Sequence, residues 1–377
     1  MKVGRQTMKS LRQLRIGYAP FSSTLEAPGD RRRFCYYARK RNLKFEFADP
    51  SVTYDLVVLS AAADISTWIR YRRGNAKVVY DLTDSYLAIP KLNPKGLLRG
   101  PAKFVARQNR HLLWSYTRGV RDMCRRADAV ICTTAEQRMD ILSHCDNVHI
   151  ILDFQSSVAR ISKSDYTAGD VFNLVWEGLP GNLGTLHEVM GVLGELQKKR
   201  RLAIHAVTNL SYRKYLNGRF AQRSMIDLAR KMPVPPYLYA WNEQTCSNIV
   251  CACDLAIIPI PLHDPLYAGK PENKLHLFWR MGMPTVVSAT PAYSRAMDES
   301  GVMMACKTSK DWLNMLENYC CSEEARRNAG QQGKRYVDQQ HSEHAMLARW
   351  DEMFCSILAS TSVADSSPVA ASEAAVR

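Results

Sequence analysis

Short apolar runs alternate along this chain with longer stretches of helical periodicity. In the first half the runs are Leu14–Ala19, Asp55–Ser60, Val78–Leu82, Ala129–Thr134 and Val148–Leu152, with Arg32–Arg41 reading as a helix. Runs this short and this uniformly apolar mark parallel strands covered by helices on both faces. A polar segment, Gln155 to Gly169, interrupts the pattern. It then restarts with Phe172–Trp176, Leu202–Val207, Tyr237–Trp241, Leu255–Ile260, Thr285–Ser288 and Val302–Ala305. The expected architecture is α/β: two Rossmann-like doubly wound domains, residues 1–160 and 161–345, facing an interdomain cleft. A closing helix is expected over 346–358, and an Ala- and Ser-rich disordered tail over 359–377.

Composition agrees with a globular protein of two domains: 377 residues, 46% of them apolar. No run reaches the roughly 18 apolar residues of a membrane-spanning helix, and the basic N-terminus has no apolar segment behind it. The eleven cysteines are odd in number and lack zinc or CxxC spacing, which points to a reducing, cytoplasmic setting.

Charge changes the picture. Up to residue 126 there are 26 Lys and Arg against 9 Asp and Glu, and beyond it 25 against 27, so the whole net charge of +15 belongs to the first domain. Its partner is expected to be anionic. A helix near Lys103–Arg126 would place Lys103, Arg107, Arg110, Trp114, Arg118, Arg121 and Arg125 on one stripe about 80° wide. A basic stripe centred on Trp suits an anionic membrane surface, and the competing reading is a solvated face.

The densest candidate chemistry lies in Asp254–Ser294. There a buried strand, a Pro-rich loop and a helix are followed by a second strand. Lys270, Pro271, Glu272, Asn273 and Lys274 stand where the Glu272–Met281 helix begins, and free N–H groups at a helix start favour phosphate. An ordinary helix with a solvated basic start is the competing reading. Gly282 and Pro284 end that helix. Val175–Gly184 reads as a Gly-rich strand-to-helix turn, in which Glu177, Gly178 and Gly181 stand near a backbone pyrophosphate site. Thr185 and Glu188 form a capping-box pattern there. In the first domain, Asp81 and Asp84 follow a buried strand and point toward the cleft. Asp84, farther past the strand, is the preferred general base for an acceptor hydroxyl, against the plainer role of a loop-fixing carboxylate.

The run Asp254, Pro259, Asn273-Lys274-Leu275 and Gly282-Met283-Pro284-Thr285-Val286-Val287 resembles the nucleotide-sugar segment of GT-B glycosyltransferases, particularly the family-four-like group. Trp312–Leu316 and Glu323–Tyr336 resemble that group's closing helices. The resemblance covers about Phe172 to Trp350, and it implies sugar transfer from a nucleotide-sugar to a carbohydrate. The acceptor it suggests is a lipid-linked glycan of a bacterial surface polysaccharide. It further implies that Glu177, Gly178, Gly181, Lys270, Glu272, Asn273 and Lys274 hold the donor, with Lys274 aiding departure of the diphosphate. Arg31 and Arg32 would then face the acceptor, beside Asp81 and Asp84. No metal and no cofactor are implied, the nucleotide-sugar being a substrate. The implied location is cytoplasmic, peripheral on the inner face of the membrane. Two features depart from the group: the positions of its Glu-x7-Glu pair fall at Gly269 and Leu277, and the turn after Trp176 has no basic residue. A non-catalytic GT-B partner subunit is therefore one alternative. A nucleic-acid-binding module is another, although no nucleic-acid motif is present and no specific nucleic acid is expected.

Overall fold

The computed structural model describes residues 10–90, 94–214 and 221–359. Two six-stranded parallel sheets organise it. The first holds β1 (Ile16–Ala19), β2 (Glu46–Phe47), β3 (Leu56–Ser60), β4 (Lys77–Asp81), β5 (Ala129–Cys132) and β6 (Val148–Ile150), in the order β2-β1-β3-β4-β5-β6. After it come β7 (Val171–Glu177), β8 (Arg201–Thr208), the hairpin β9 (Ser211–Lys214) and β10 (Ala221–Ser224), β11 (Tyr237–Ala240), β12 (Leu255–Ile258), β13 (Thr285–Ser288) and β14 (Ala305–Cys306). The second sheet runs β11-β8-β7-β12-β13-β14. Both orders reverse direction once, between β1 and β3 and between β7 and β12, and such switch points are where doubly wound sheets bind ligands.

The central strand β3 shows why the sequence reads so clearly. All five of its residues are buried; Leu56 and Val58 pack on one side of the sheet, Val57 and Leu59 on the other. The side of Leu56 is covered by Phe34–Arg41 and, from the far end of the chain, by the helix Glu343–Ala359. Trp350 of that last helix stacks on Tyr37 at 5.3 Å, and the Tyr37 hydroxyl donates to Asp351 at 2.9 Å. The closing helix thus returns to the first domain. The tail from 360 lies outside the described residues. No helix among the described residues is long and apolar enough to cross a membrane, and all eleven cysteines are free thiols.

The long basic helix is not formed. Pro94–Val105 and Tyr116–Arg126 are separate helices, and Arg107 between them has a left-handed φ of 55°. The cause is tertiary. Asp64 accepts the Arg110 backbone N–H at 2.8 Å and the Ser66 hydroxyl accepts that of His111 at 2.9 Å, so this backbone bonds elsewhere than to its own helix. Arg107, Arg110 and Trp114 therefore sit on a connector, with Lys103 on the first helix and Arg118, Arg121 and Arg125 on the second.

Candidate active site

A cavity of about 660 Å³ lies between the domains, at the carboxyl ends of both sheets. The loop after β1 shapes one wall. Buried Asp30 gathers that loop by accepting from the Tyr18 hydroxyl at 2.7 Å and from the Phe21 and Ser22 backbone N–H groups at 2.8 and 3.0 Å. This delivers Arg31 and Arg32 to the cavity. Both guanidinium groups reach across to Trp241 of the second domain, at 4.9 and 5.4 Å from its ring. Arg31 is neutralised by Glu243, whereas Arg32 has a buried Nε with no partner among the described residues.

The opposite wall comes from the switch point. Glu177 and Gly178 end β7, Pro259 and Ile260 follow β12, and Lys270, Asn273 and Lys274 bracket the start of the helix Asn273–Arg280. That helix begins without a side-chain cap, so its first N–H groups remain open to a ligand. Its other end is closed by Gly282 at φ 69°, with Gly282 and Met283 N–H donating to the carbonyls of Trp279 and Phe278 in a Schellman motif.

Lys274 is half-buried against Trp176, 4.9 Å from the ring, and desolvation pushes its pKa down, with Glu177 opposing and Arg32 adding to the shift. Gly178 makes the room: a Cβ there would stand 2.5 Å from Lys274 Nζ. Lys270 is 4.3 Å from the Tyr267 ring and 3.4 Å from Asn182 Oδ1. Burial and the neighbouring Lys274 lower its pKa to about 8. Arg32, Lys270 and Lys274 therefore converge with no carboxylate hydrogen-bonded to any of them among the described residues. Glu177 and Glu26 are the carboxylates of the cavity outside the Arg31–Glu243 and Arg33–Asp153 ion pairs.

Several expected site residues are placed differently. Asp81 does not face the cleft; its carboxylate is taken in two bonds by buried Arg33, at 2.6 and 2.7 Å. Asp84 is exposed outside the cavity lining and accepts from the Tyr86 hydroxyl at 3.1 Å. Gly181 lies in a 3-10 stretch, Pro180–Val189, and is not itself a lining residue although Pro180 and Asn182 are, and the Thr185–Glu188 pair caps nothing there because the α-helix starts only at Met190. Glu272 turns to the far side of its helix.

The sequence reading did not single out Trp241, Asp153, Gln155 and Tyr293, which line the cavity. Trp241 ends one of the apolar runs, and the ends of parallel strands are where such signals sit. Asp153 and Gln155 belong to the segment joining the sheets. The Asp153 N–H donates to Asn273 Oδ1 at 3.0 Å, and Gln155 Nε2 donates to the Asn273 carbonyl at 3.2 Å. Asp153 also binds Arg33 at 2.9 Å, so one chain of contacts runs from β4 to the first residue of the Asn273–Arg280 helix.

Two Rossmann-type domains that close on a cation-lined cleft at their switch points define the GT-B fold, and solved structures agree. A sucrose-phosphate synthase from Thermosynechococcus elongatus superposes with a TM-score of 0.58 at 11% identity, over 87% of this chain and 77% of that one. A TarM of S. aureus, crystallised with fondaparinux, α-GlcNAc-glycerol and UDP, gives 0.54 at 12% identity, over 79% and 55%. WaaG, a glycosyltransferase of lipopolysaccharide biosynthesis, gives 0.51 at 13%, over 80% and 78%. The chain spans about half the length of TarM. No protein-family model matches the sequence, and no curated protein matches it. The chain has the GT-B fold.

Proposed function

We propose that this protein is a nucleotide-sugar-dependent glycosyltransferase that transfers a sugar to a carbohydrate acceptor. One observation carries the proposal: Arg32, Lys270 and Lys274 converge, without hydrogen-bonded carboxylates, on the uncapped start of the helix Asn273–Arg280. A nucleoside diphosphate offers the matching charge. As the glycosidic bond breaks, negative charge grows on the departing diphosphate, and fixed cations in a water-poor cleft stabilise that state more than the ground state. Trp241 and the polar residues beside it are suited to the nucleoside end. UDP in the TarM complex supports this reading by likeness of fold.

The finer reading concerns the acceptor. A lipid-linked glycan presented at an anionic membrane surface fits the excess charge of the first domain and an exposed apolar cluster on it, in which Leu98, Val105 and Trp114 are 67, 69 and 79% exposed. Arg107, Arg110 and Arg118 lie exposed along the same 98–118 stretch. The patch adjoins the cleft: Arg99 stacks on Tyr86 at 4.4 Å, and the preceding Ser85 hydroxyl donates to the Gly269 carbonyl at 3.2 Å. The test is a panel of nucleoside diphosphates followed by calorimetry and then by sugar-transfer assays with the matching nucleotide-sugars. A matching nucleotide at a hundred times its dissociation constant should stabilise the fold by about 2.7 kcal/mol. Absence of any diphosphate binding would leave the fold without this activity.

A further inference from the structure

The helix Asn273–Arg280 separates two cavities. Its front presents Asn273, Lys274 and Leu277 to the cleft already described. Its rear carries Glu272 into a second, open cavity of about 870 Å³, lined by the helices Pro291–Ser300 and Glu323–Gln340 and by Ile150 and Leu152 of the first domain. The size is that of small-molecule sites.

The polar groups of this rear cavity are not balanced among themselves. Arg295 is committed to Glu136 across the domain boundary, at 2.7 Å, and Glu299 accepts from the Tyr336 hydroxyl at 2.5 Å. Arg335 and Arg349 pair with no carboxylate among the described residues. Arg349 makes long contacts, to His341 at 3.4 Å, to the Gln340 carbonyl at 3.3 Å and to Met346 Sδ at 3.6 Å. Glu272 Oε2 is sealed from solvent and has no partner. Behind it on the same helix His276 Nε2 is likewise buried and unpaired, its ring 4.2 Å from that of His341 in the cavity wall. Buried polar atoms without partners are costly, and Glu272 at this cavity, beside two arginines free of carboxylates, points to an occupant that satisfies them.

We propose that the rear cavity binds a phosphorylated sugar, whose phosphate meets Arg335 and Arg349 and whose hydroxyls meet Glu272. Guanidinium groups in excess select phosphate. Burial raises the Glu272 pKa to about 7, so this carboxyl can donate to a sugar hydroxyl as well as accept from one. The amides of Gln332, Gln339 and Gln340 supply further donors and acceptors. Glu272 directly precedes Asn273 and Lys274, so the two sites flank one helix start. The site is independent of the activity proposed above and does not rest on it.

The test uses the full chain and calorimetric titration with glucose 6-phosphate, mannose 6-phosphate and glucosamine 6-phosphate. At least one should bind saturably, inorganic phosphate and neutral hexoses should bind at least tenfold more weakly, and the double change Arg335→Ala with Arg349→Ala should abolish binding. Glu272→Ala should weaken it, which serves as a second variant should the double change unfold the chain. Lys274→Met, in the front cleft, should leave it intact, so loss of the donor reading and loss of this one are separately visible. No binding by any of the three, equal binding of inorganic phosphate, or loss of binding with Lys274→Met overturns the proposal.

Discussion

Lys274 Nζ lies 4.9 Å from the centre of the Trp176 ring, over a backbone that only glycine at 178 leaves free. The two residues come from the strands and helix that flank the switch point of the second sheet, so the ammonium group is held by the fold rather than by a carboxylate. A cation fixed in this way is ready for an anion. Lys274→Met is expected to keep the packing on Trp176 and to weaken nucleoside-diphosphate binding by about 10- to 100-fold, the worth of a charge-assisted bond. Calorimetry on the folded variant checks it, and unchanged affinity would remove Lys274 from the site.

Gly178→Ala tests the same relationship from the other side. The new methyl would meet Lys274 Nζ at 2.5 Å and the Trp176 ring at 2.8 Å. Lysine is flexible and can retreat, whereas the buried Trp176 ring can yield only by a small shift, so the expected outcome is displaced charge with some loss of stability. Diphosphate affinity should fall, and the melting temperature with it, in a variant that still unfolds cooperatively. A full loss of folding would show that Gly178 serves the packing of the domain instead.

The donor site should also carry a pH signature. Lys270 in the free protein is charged below about pH 8, its pKa having been lowered by burial and by Lys274. A bound diphosphate favours the charged form and raises that pKa again, so binding takes up a proton and affinity declines as pH rises through about 8. Titrations from about pH 7 to about pH 9.5 should show this decline, and Lys270→Met should flatten it at a lower overall affinity. A pH-independent affinity in the native protein would exclude Lys270 from contact with the phosphates.

Arg33 is a hub of the first domain, bonded to Asp81, Asp153 and the Ile151 carbonyl, and its value is structural. Burial opposes its charge, but Asp81 and Asp153 outweigh burial and hold its pKa above the ordinary value. Arg33→Met would leave the Asp81 carboxylate buried without a counter-charge, and removing one partner of such a pair costs about 3–5 kcal/mol. Denaturant unfolding measures it. Near-native stability would mean that water or a rearranged side chain compensates Asp81.

The same hub shows where the sequence was legible. Strand β4 could be read from Val78–Leu82 because both its faces are buried, and the donor helix could be read from Pro271, Lys274 and Gly282. That Asp81 would turn inward to Arg33 was not visible, because the two residues are joined only by the folding of the sheet. Spacing alone also suggested one basic helix through Arg107 and Arg110. The side chains that break it, Asp64 and Ser66, stand more than forty residues earlier in the chain. Local periodicity holds where a segment satisfies its own backbone, and it fails where distant groups accept those N–H bonds. The closing helix was legible as a helix but not as part of the first domain's core, since that depends on where the chain returns.

Breaking the basic helix alters the expected contact with a membrane without removing it. The connector between Pro94–Val105 and Tyr116–Arg126 brings Trp114 into solvent, and Leu98, Phe104 and Val105 are exposed on the first of those helices. Exposed apolar side chains among unpaired arginines are the composition of an interfacial anchor: the apolar groups enter the headgroup boundary and each nearby cation adds on the order of 1 kcal/mol at an anionic leaflet. The two contributions are separable. Arg107→Gln with Arg110→Gln and Arg118→Gln should weaken binding to anionic vesicles, and the binding that remains should depend less on salt. Val105→Ser with Trp114→Ser should weaken binding at every salt concentration. A fluorescence marker follows from exposure: Trp114 emission should shift to the blue on vesicle addition, and that shift should vanish with Trp114→Ser. Diphosphate affinity should stay constant throughout, because none of these residues lines the cleft. If the native protein fails to sediment with anionic vesicles at low salt, this patch does not contact a bilayer.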